Sequence, residues 1–264
     1  MAYDIAAPYG RLIETTLRLV TWNVWARFGP WERRETAIRE TLERHDPDIV
    51  ALVEAWEGQG ARLDFPHHVF GGEDSEDSGL AIMSRWPITR HEFRTLPGPE
   101  GATGVVLFAE IDGPRGVVQV FVVALAWQLE HSAVRQAQVR EVSAFIADRQ
   151  RRRCPTILCG DFNADPDSDE MRLLTGRSAP AVPGLVFYDA WETAGDGGPG
   201  HTWARTNPWA VPLLWPDRRI DHVMPAWPRP GGAGHPIRCE LVGTEAVGGV
   251  LPSDHYGILA DLRY

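Results

Sequence analysis

Ile157-Leu158-Cys159-Gly160-Asp161-Phe162-Asn163-Ala164-Asp165-Pro166 is the stretch whose reading decides the fold. Thr156 to Cys159 is a short β-compatible run, which Gly160 is expected to break. Beyond the glycine, Asp161 and Asn163 alternate to one side of an extended backbone. Asp165-Pro166 ends the segment, and Ser168-Asp169-Glu170 predicts the cap and first turn of a helix. A carboxylate and an amide thus stand side by side at the carboxyl end of a strand, where open α/β sheets hold ligands. The carboxylate can take a proton from water, and the amide can donate to a phosphate or carbonyl oxygen.

The flanking sequence repeats this arrangement of buried strand and terminal polar residue. Leu17 to Trp22 alternates as a strand and ends at Asn23. Glu32 to His45 has helical spacing through Ile38 and Leu42 and stops at Asp46-Pro47. Asp48 to Val53 is a continuous apolar run followed at once by Glu54, an acid that needs a partner or a metal there. Residues 71–78 form an acidic loop, Gly79 to Ser84 a further strand, and Asp112-Gly113-Pro114-Arg115-Gly116 a hairpin between Val105–Ile111 and Val117–Leu125. Ser132 is expected to cap a helix to about Gln150, closed by Arg149 and Arg151 to Arg153. Residues 176–218 are rich in Gly, Pro and Trp and predict long loops. Arg219 to Val223 predicts a short strand, Pro225 to Pro236 a loop, and Gly257 to Leu262 the last strand. Residues 1–16 read as a leader and 17–264 as one α/β domain, with no repeat and no linker between two cores.

Composition narrows the function classes. With 264 residues, 44% hydrophobic and 23% charged, the chain can bury a sizeable core. Net charge is -10 and no lysine occurs, which argues against tight non-specific nucleic-acid binding but not against a nuclease that holds its substrate through a metal. Of the 11 Trp residues, Trp31, Trp86, Trp209, Trp215 and Trp227 fall near Pro or Gly, where they line a cleft or pin loops. Cys154, Cys159 and Cys239 lack zinc spacing, and Cys159 reads as a packed thiol. The amino terminus has no signal-peptide pattern and no window is apolar enough to span a membrane, so a cytoplasmic location is expected. No obligate protein partner is evident.

The strand-end residues make a set: Asn23, Glu54, Asp161, Asn163, Asp221, Asp254 and His255. Oxygen donors without a cysteine or histidine cluster favour Mg²⁺ or Mn²⁺ over zinc, beside an acid/base histidine. Thr21-Trp22-Asn23, Leu52-Val53-Glu54, Ser78-Gly79-Leu80-Ala81-Ile82, Gly160-Asp161-Phe162-Asn163, Arg219-Ile220-Asp221 and Ser253-Asp254-His255 together resemble the endonuclease/exonuclease/phosphatase superfamily, with its deoxyribonuclease I-like fold. The pieces occur in the family's order from about residue 17 onward. The resemblance implies a four-layer α/β/β/α sandwich of two packed mixed sheets flanked by helices, with the site at one end. It implies Glu54 as principal metal ligand with Asn23 and Asp254 close by, and Asp161 orienting or deprotonating the attacking water. It further implies Asn163 holding that water or a phosphate oxygen, and His255 on the scissile phosphate, oriented by Asp221. The expected activity is metal-dependent phosphoester hydrolysis. The substrate is a nucleic acid, a nucleotide-like small molecule or a phospholipid head group.

One position departs from the pattern. Family members typically carry threonine-histidine-leucine where this chain has Val123-Ala124-Leu125, and alanine offers no proton donor. An engineered replacement, transfer of the role to a neighbour such as His131, and departure from phosphodiester chemistry all fit. Apolar Val122 and Val123 favour natural divergence over one engineered change. The alternative function is therefore a binding protein, or an enzyme of small-molecule biosynthesis. Trp127, His131, His201 and Arg219 are the candidate substrate contacts.

Overall fold

The computed structural model describes residues 5–72, 78–151 and 155–264. The central part of the acidic loop, Arg152, Arg153 and Cys154 lie outside the described residues. The chain runs through β1 (Thr16–Asn23), α1 (Trp31–His45), β2 (Ile49–Ala55), α2 (Gln59–Arg62), β3 (His67–Gly71), β4 (Gly79–Ser84), β5 (Ile88–Leu96), β6 (Gly104–Gly113) and β7 (Gly116–Ala124). It continues through α3 (Ser132–Arg149), β8 (Thr156–Asp161), α4 (Asp169–Thr175), α5 (Ala190–Ala194), β9 (Asp221–Pro225), β10 (Pro236–Val242) and β11 (Gly257–Arg263).

Two crossovers set the architecture. β1 leads through α1 to a parallel β2, and β7 leads through α3 to a parallel β8. The remaining ladders are antiparallel, in the orders β10-β11-β1-β2-β4-β3 and β5-β6-β7-β8-β9. The sheets pack face to face over Leu19, Val53, Leu107, Val122 and Ile258. Ile38 and Leu42 of α1 cover the outer face of the first sheet against Val20, Trp22 and Leu52. Val139, Val142, Phe145 and Ile146 of α3 cover the second, where Phe145 stands edge-on to the stacked pair Phe108 and Phe121. Apolar residues at helical spacing give each helix one buried stripe, and the four layers follow. The expected sandwich is therefore present.

Local expectations fare unevenly. α1 ends where expected, with Asp46 left-handed (φ 52) and its N–H on Leu42 O. Gly160 does not break its strand: β8 continues to Asp161, and Asn163 then turns left-handed at φ 51. Ser132 is the first residue of α3 rather than its cap, and its hydroxyl goes to Glu170 Oε2 at 2.7 Å. Ser168 holds the cap position of α4, but its buried hydroxyl has no partner among the described residues. β3, β5 and β10 were not expected, nor was α5 inside the Gly/Pro/Trp-rich region. The leader is tied to the body, with Ile13 N donating to Gly231 O at 2.9 Å and Tyr264 N to Thr15 O at 2.9 Å. Cys159 is fully buried, and burial pushes its thiol up to about 12. Among the described residues no helix is long and apolar enough to cross a membrane.

Candidate active site

The carboxyl ends of both parallel strand pairs open at the same edge of the sandwich. Asn23 ends β1, Glu54 stands next to last in β2, Ala124 ends β7 and Asp161 ends β8. The antiparallel neighbours start there: Asp221 opens β9, and Asp254 and His255 precede β11. A register shift between Val53 and Ala55 accompanies the left-handed backbone of Glu54 (φ 53). Bulges of this kind re-aim side chains beside functional sites.

Hydrogen bonds tie these residues into one cluster. Asn23 Nδ2 donates to Glu54 Oε1 at 3.0 Å and to Asp161 Oδ2 at 3.1 Å. Asp161 Oδ1 accepts from the backbone N–H of Asn163 at 2.9 Å, and Asn163 Nδ2 donates to Leu125 O at 3.1 Å. His255 Nδ1 donates to Asp221 Oδ2 at 2.8 Å. Ser253 Oγ donates to Asn23 O at 2.7 Å and lies 3.2 Å from Asp254 Oδ1. Thr202 Oγ1 accepts from the N–H groups of Ile220 and Asp221, which fixes the start of β9. Trp203 packs its ring edge-on to His255, 5.1 Å between centroids, and its own indole N–H is buried without an acceptor among the described residues. Ligand atoms of Asp161, Asp221 and His255 lie within 4.8 Å of one another, but the last two are already committed to each other.

Charge is unbalanced here. Burial raises the Glu54 carboxyl despite its bond from Asn23. Burial, with the charge of Asp221, lifts Asp161 to about 6; burial, with Glu54, lifts Asp254 to about 6. Burial disfavours charge on His255, yet Asp221, by charge and hydrogen bond, carries it well above its usual value. Arg34 is buried nearby, but its N–H groups are spent on the carbonyls of Val24, Trp25, Ala26, Phe28 and Pro252. Buried carboxylates with oxygen donors alone, and a buried Asp221 Oδ1 without a partner among the described residues, suit a hard divalent cation. Glu54 and Asp254 offer oxygens that could hold it, whereas Asn23 turns its nitrogen to Glu54 and Asp161 while its oxygen accepts from Trp25 N at 3.0 Å.

The model of the Endonuclease/Exonuclease/phosphatase family matches residues 20–255. The chain belongs to this family. Protein angel of Drosophila melanogaster is 27% identical over 216 residues, covering 70% of this chain. This chain spans only 58% of the length of that relative. The crystal structure of D. rerio TDP2 complexed with a single-strand DNA product superposes with a TM-score of 0.78 at 20% identity, covering 95% of this chain and 100% of that one. A mannosyl-6-phosphatase of Bacteroides thetaiotaomicron superposes at 0.74 with 17% identity, covering 94% and 100%.

Against the family pattern, the remaining candidates separate. Ala124 pairs in register with Asp161, so the position that typically carries the family's histidine is beside the carboxylate and bears only a methyl group. His131 lies just ahead of α3 with Nδ1 3.0 Å from Gln128 Oε1. His201 is half-buried in the loop before Thr202. Arg219 is not gathered into the cluster: its Nη1 donates to Asp189 Oδ2 at 2.6 Å and lies 3.1 Å from His222 Nδ1. It lines a separate cavity of about 480 Å³ with Pro166, Arg177, Trp191 and Glu192, where none of the strand-end set appears. Trp127 stacks on Trp215, 6.1 Å between centroids. Sequence reasoning missed Arg34, and it missed that Thr202 and Ser253, both inside stretches it singled out, orient the site's backbone. Asn207, read from sequence only as a possible substrate contact, donates Nδ2 to Ser253 O at 2.9 Å and to Asp254 O at 3.0 Å.

Proposed function

We propose that this chain is a divalent-metal-dependent phosphoesterase that cleaves a phosphodiester by in-line attack of water. The observation that carries this reading is the Asn23 amide joining Glu54 and Asp161 beside the His255–Asp221 pair. The cation would be Mg²⁺ or Mn²⁺, Glu54 and Asp254 would hold it with Asn23 orienting Glu54, and it would supply Lewis-acid stabilisation of charge on the phosphate and leaving oxygens. Asp161, at about 6, is ionised at neutral pH and orients the attacking water or takes its proton. Asn163 has one amide N–H committed to Leu125 O and keeps the other, with its oxygen, for water or a phosphate oxygen. The His255 ring, charged and fixed through Nδ1 by Asp221, keeps its Nε2–H for the phosphate.

Ala124 supports a second reading, a member of the family that binds its ligand without hydrolysis or has moved to other small-molecule chemistry. Hydrolysis of bis(4-nitrophenyl) phosphate with Mg²⁺ by the wild type, Asp161→Asn and Ala124→His separates the two. Turnover that Asp161→Asn abolishes and Ala124→His raises supports the phosphoesterase. Missing general acids typically cost ~10²–10⁴ in rate, which leaves the wild type measurable. No turnover by any of the three favours the second reading.

A further inference from the structure

We infer that Trp127 and Trp215 form a stacking platform for a planar ring carried by the phosphate ester, so that the substrate is a nucleotide or aryl ester. A purely sugar or alkyl phosphate would not use it. This rests on the phosphoesterase reading and names the substrate class of that same site.

A chain of ring contacts leads from the surface to the catalytic histidine. Trp127 stacks on Trp215 at 6.1 Å and 20° between planes, Trp215 meets Trp203 at 5.4 Å, and Trp203 meets His255 at 5.1 Å. Trp203 and Trp215 pack into a small apolar cluster with Ala210 and Ile220. Trp127 belongs to no such cluster and leaves 54% of its surface in water. A large indole so exposed contributes little to packing.

The segment that presents Trp127 is held without help from its ring. Gln138 Oε1 accepts from Ala126 N at 3.0 Å. Arg135 Nη1 donates to Ala126 O at 3.0 Å and to Gln128 O at 2.7 Å. Arg135 is in turn fixed by buried Glu170 at 2.6 Å. A buried ion pair therefore rigidifies the backbone on both sides of one exposed tryptophan, three residues after Ala124 and Asp161's register partner. Rigid presentation of an aromatic face lowers the entropy lost on binding a ring. The methyl group of Ala124 leaves room beside Asp161 that a larger side chain would fill.

Calorimetry with adenosine 5′-monophosphate and ribose 5-phosphate tests the platform, because the two share the sugar phosphate and differ at C1′, where adenine replaces a hydroxyl. The wild type, loaded with Ca²⁺ to suppress turnover, is expected to bind the nucleotide about 5- to 150-fold tighter, the range that stacking on an aromatic side chain gives. Trp127→Ala should abolish that preference while leaving ribose 5-phosphate affinity unchanged, and Trp127→Phe should retain most of it. Trp227→Ala, at an exposed tryptophan stacked instead on Tyr188, should change neither affinity. Phenyl phosphate against methyl phosphate shows whether any ring suffices or a nucleobase is needed; a Trp127-dependent preference in either pair supports the platform. Equal binding of ring-bearing and ring-free ligands by the wild type, undetectable binding of all four, or a preference that survives Trp127→Ala, overturns it. Ring-dependent binding without hydrolysis of bis(4-nitrophenyl) phosphate would overturn the phosphoesterase reading and keep the platform.

Discussion

Asn23, at the end of β1 in one sheet, donates its side-chain amide to Asp161, 3.1 Å away at the end of β8 in the other. The same nitrogen serves Glu54 at 3.0 Å, so one neutral group separates two carboxylates from different sheets. Asn23→Ala is expected to cost about 1.5–3 kcal/mol, the usual worth of a hydrogen bond to a charged group, with a larger loss of activity. Without divalent ions, Asn23→Asp should cost more than Asn23→Ala, because it sets a third carboxylate against the pair. Urea unfolding in chelator checks the order, and equal costs would show that the amide only fills space.

Gly160 holds φ at +122°, and a Cβ there would sit 2.2 Å from Val123 O on the neighbouring strand. Both the backbone conformation and the approach of β7 therefore require glycine. Gly160→Ala is expected to lose at least about 1–3 kcal/mol through strain, and to displace Asp161, the next residue. Thermal unfolding and hydrolysis rate are the readouts; an unchanged melting temperature contradicts the assignment.

Burial opposes charge on Asp189, but His222 and Arg219 outweigh it and hold the carboxyl well below the usual range. A depressed carboxyl stabilises the fold above its unfolded pKa and loses that contribution only as pH falls through the folded value. Asp189→Asn leaves Arg219 buried without its anion and should cost about 3–5 kcal/mol at pH 7. The gap to wild type should persist down to about pH 4, the unfolded value, and narrow only below it. Urea titrations at pH 7, 5 and 3.5 measure it, and a gap already closed at pH 5 refutes the linkage.

Glu170 and Arg135 are both buried and meet at 2.6 Å. Removing one partner strands the other, so Glu170→Ala is expected to cost about 3–5 kcal/mol. Because Arg135 also holds the carbonyls of Ala126 and Gln128, amide hydrogen exchange over residues 125–129 should accelerate in that variant. Exchange unchanged there, despite lost stability, would mean the segment is held by Gln138 alone.

The sequence revealed the interior of each sheet and hid its margins. β2, β4 and β8 are buried along nearly their whole length and read as apolar runs. β3, β5 and β10 lie at sheet edges, with mixed polar and apolar residues, and their pairing partners rather than their own pattern make them strands. The strand-end polar residues were legible because each abuts an apolar run. The pairing of Arg219 with Asp189 was not legible, because Asp189 lies in a different part of the chain and meets it only in three dimensions. Trp127 and Trp215 were each legible as candidate ligand contacts, but not their stacking, since they are far apart in the chain and touch only once the loops are folded.

The contact between Asn23 and Asp161 spans the sandwich, so it closes at one separation of the sheets and no other. Leu19, Val53, Leu107, Val122 and Ile258 act as shims between the jaws of a calliper. Since protein interiors are close-packed and yield little, a methylene added or removed in that layer changes the gap at the jaws without touching any substrate. Core volume in this chain is thus a setting of the chemistry as well as a source of stability.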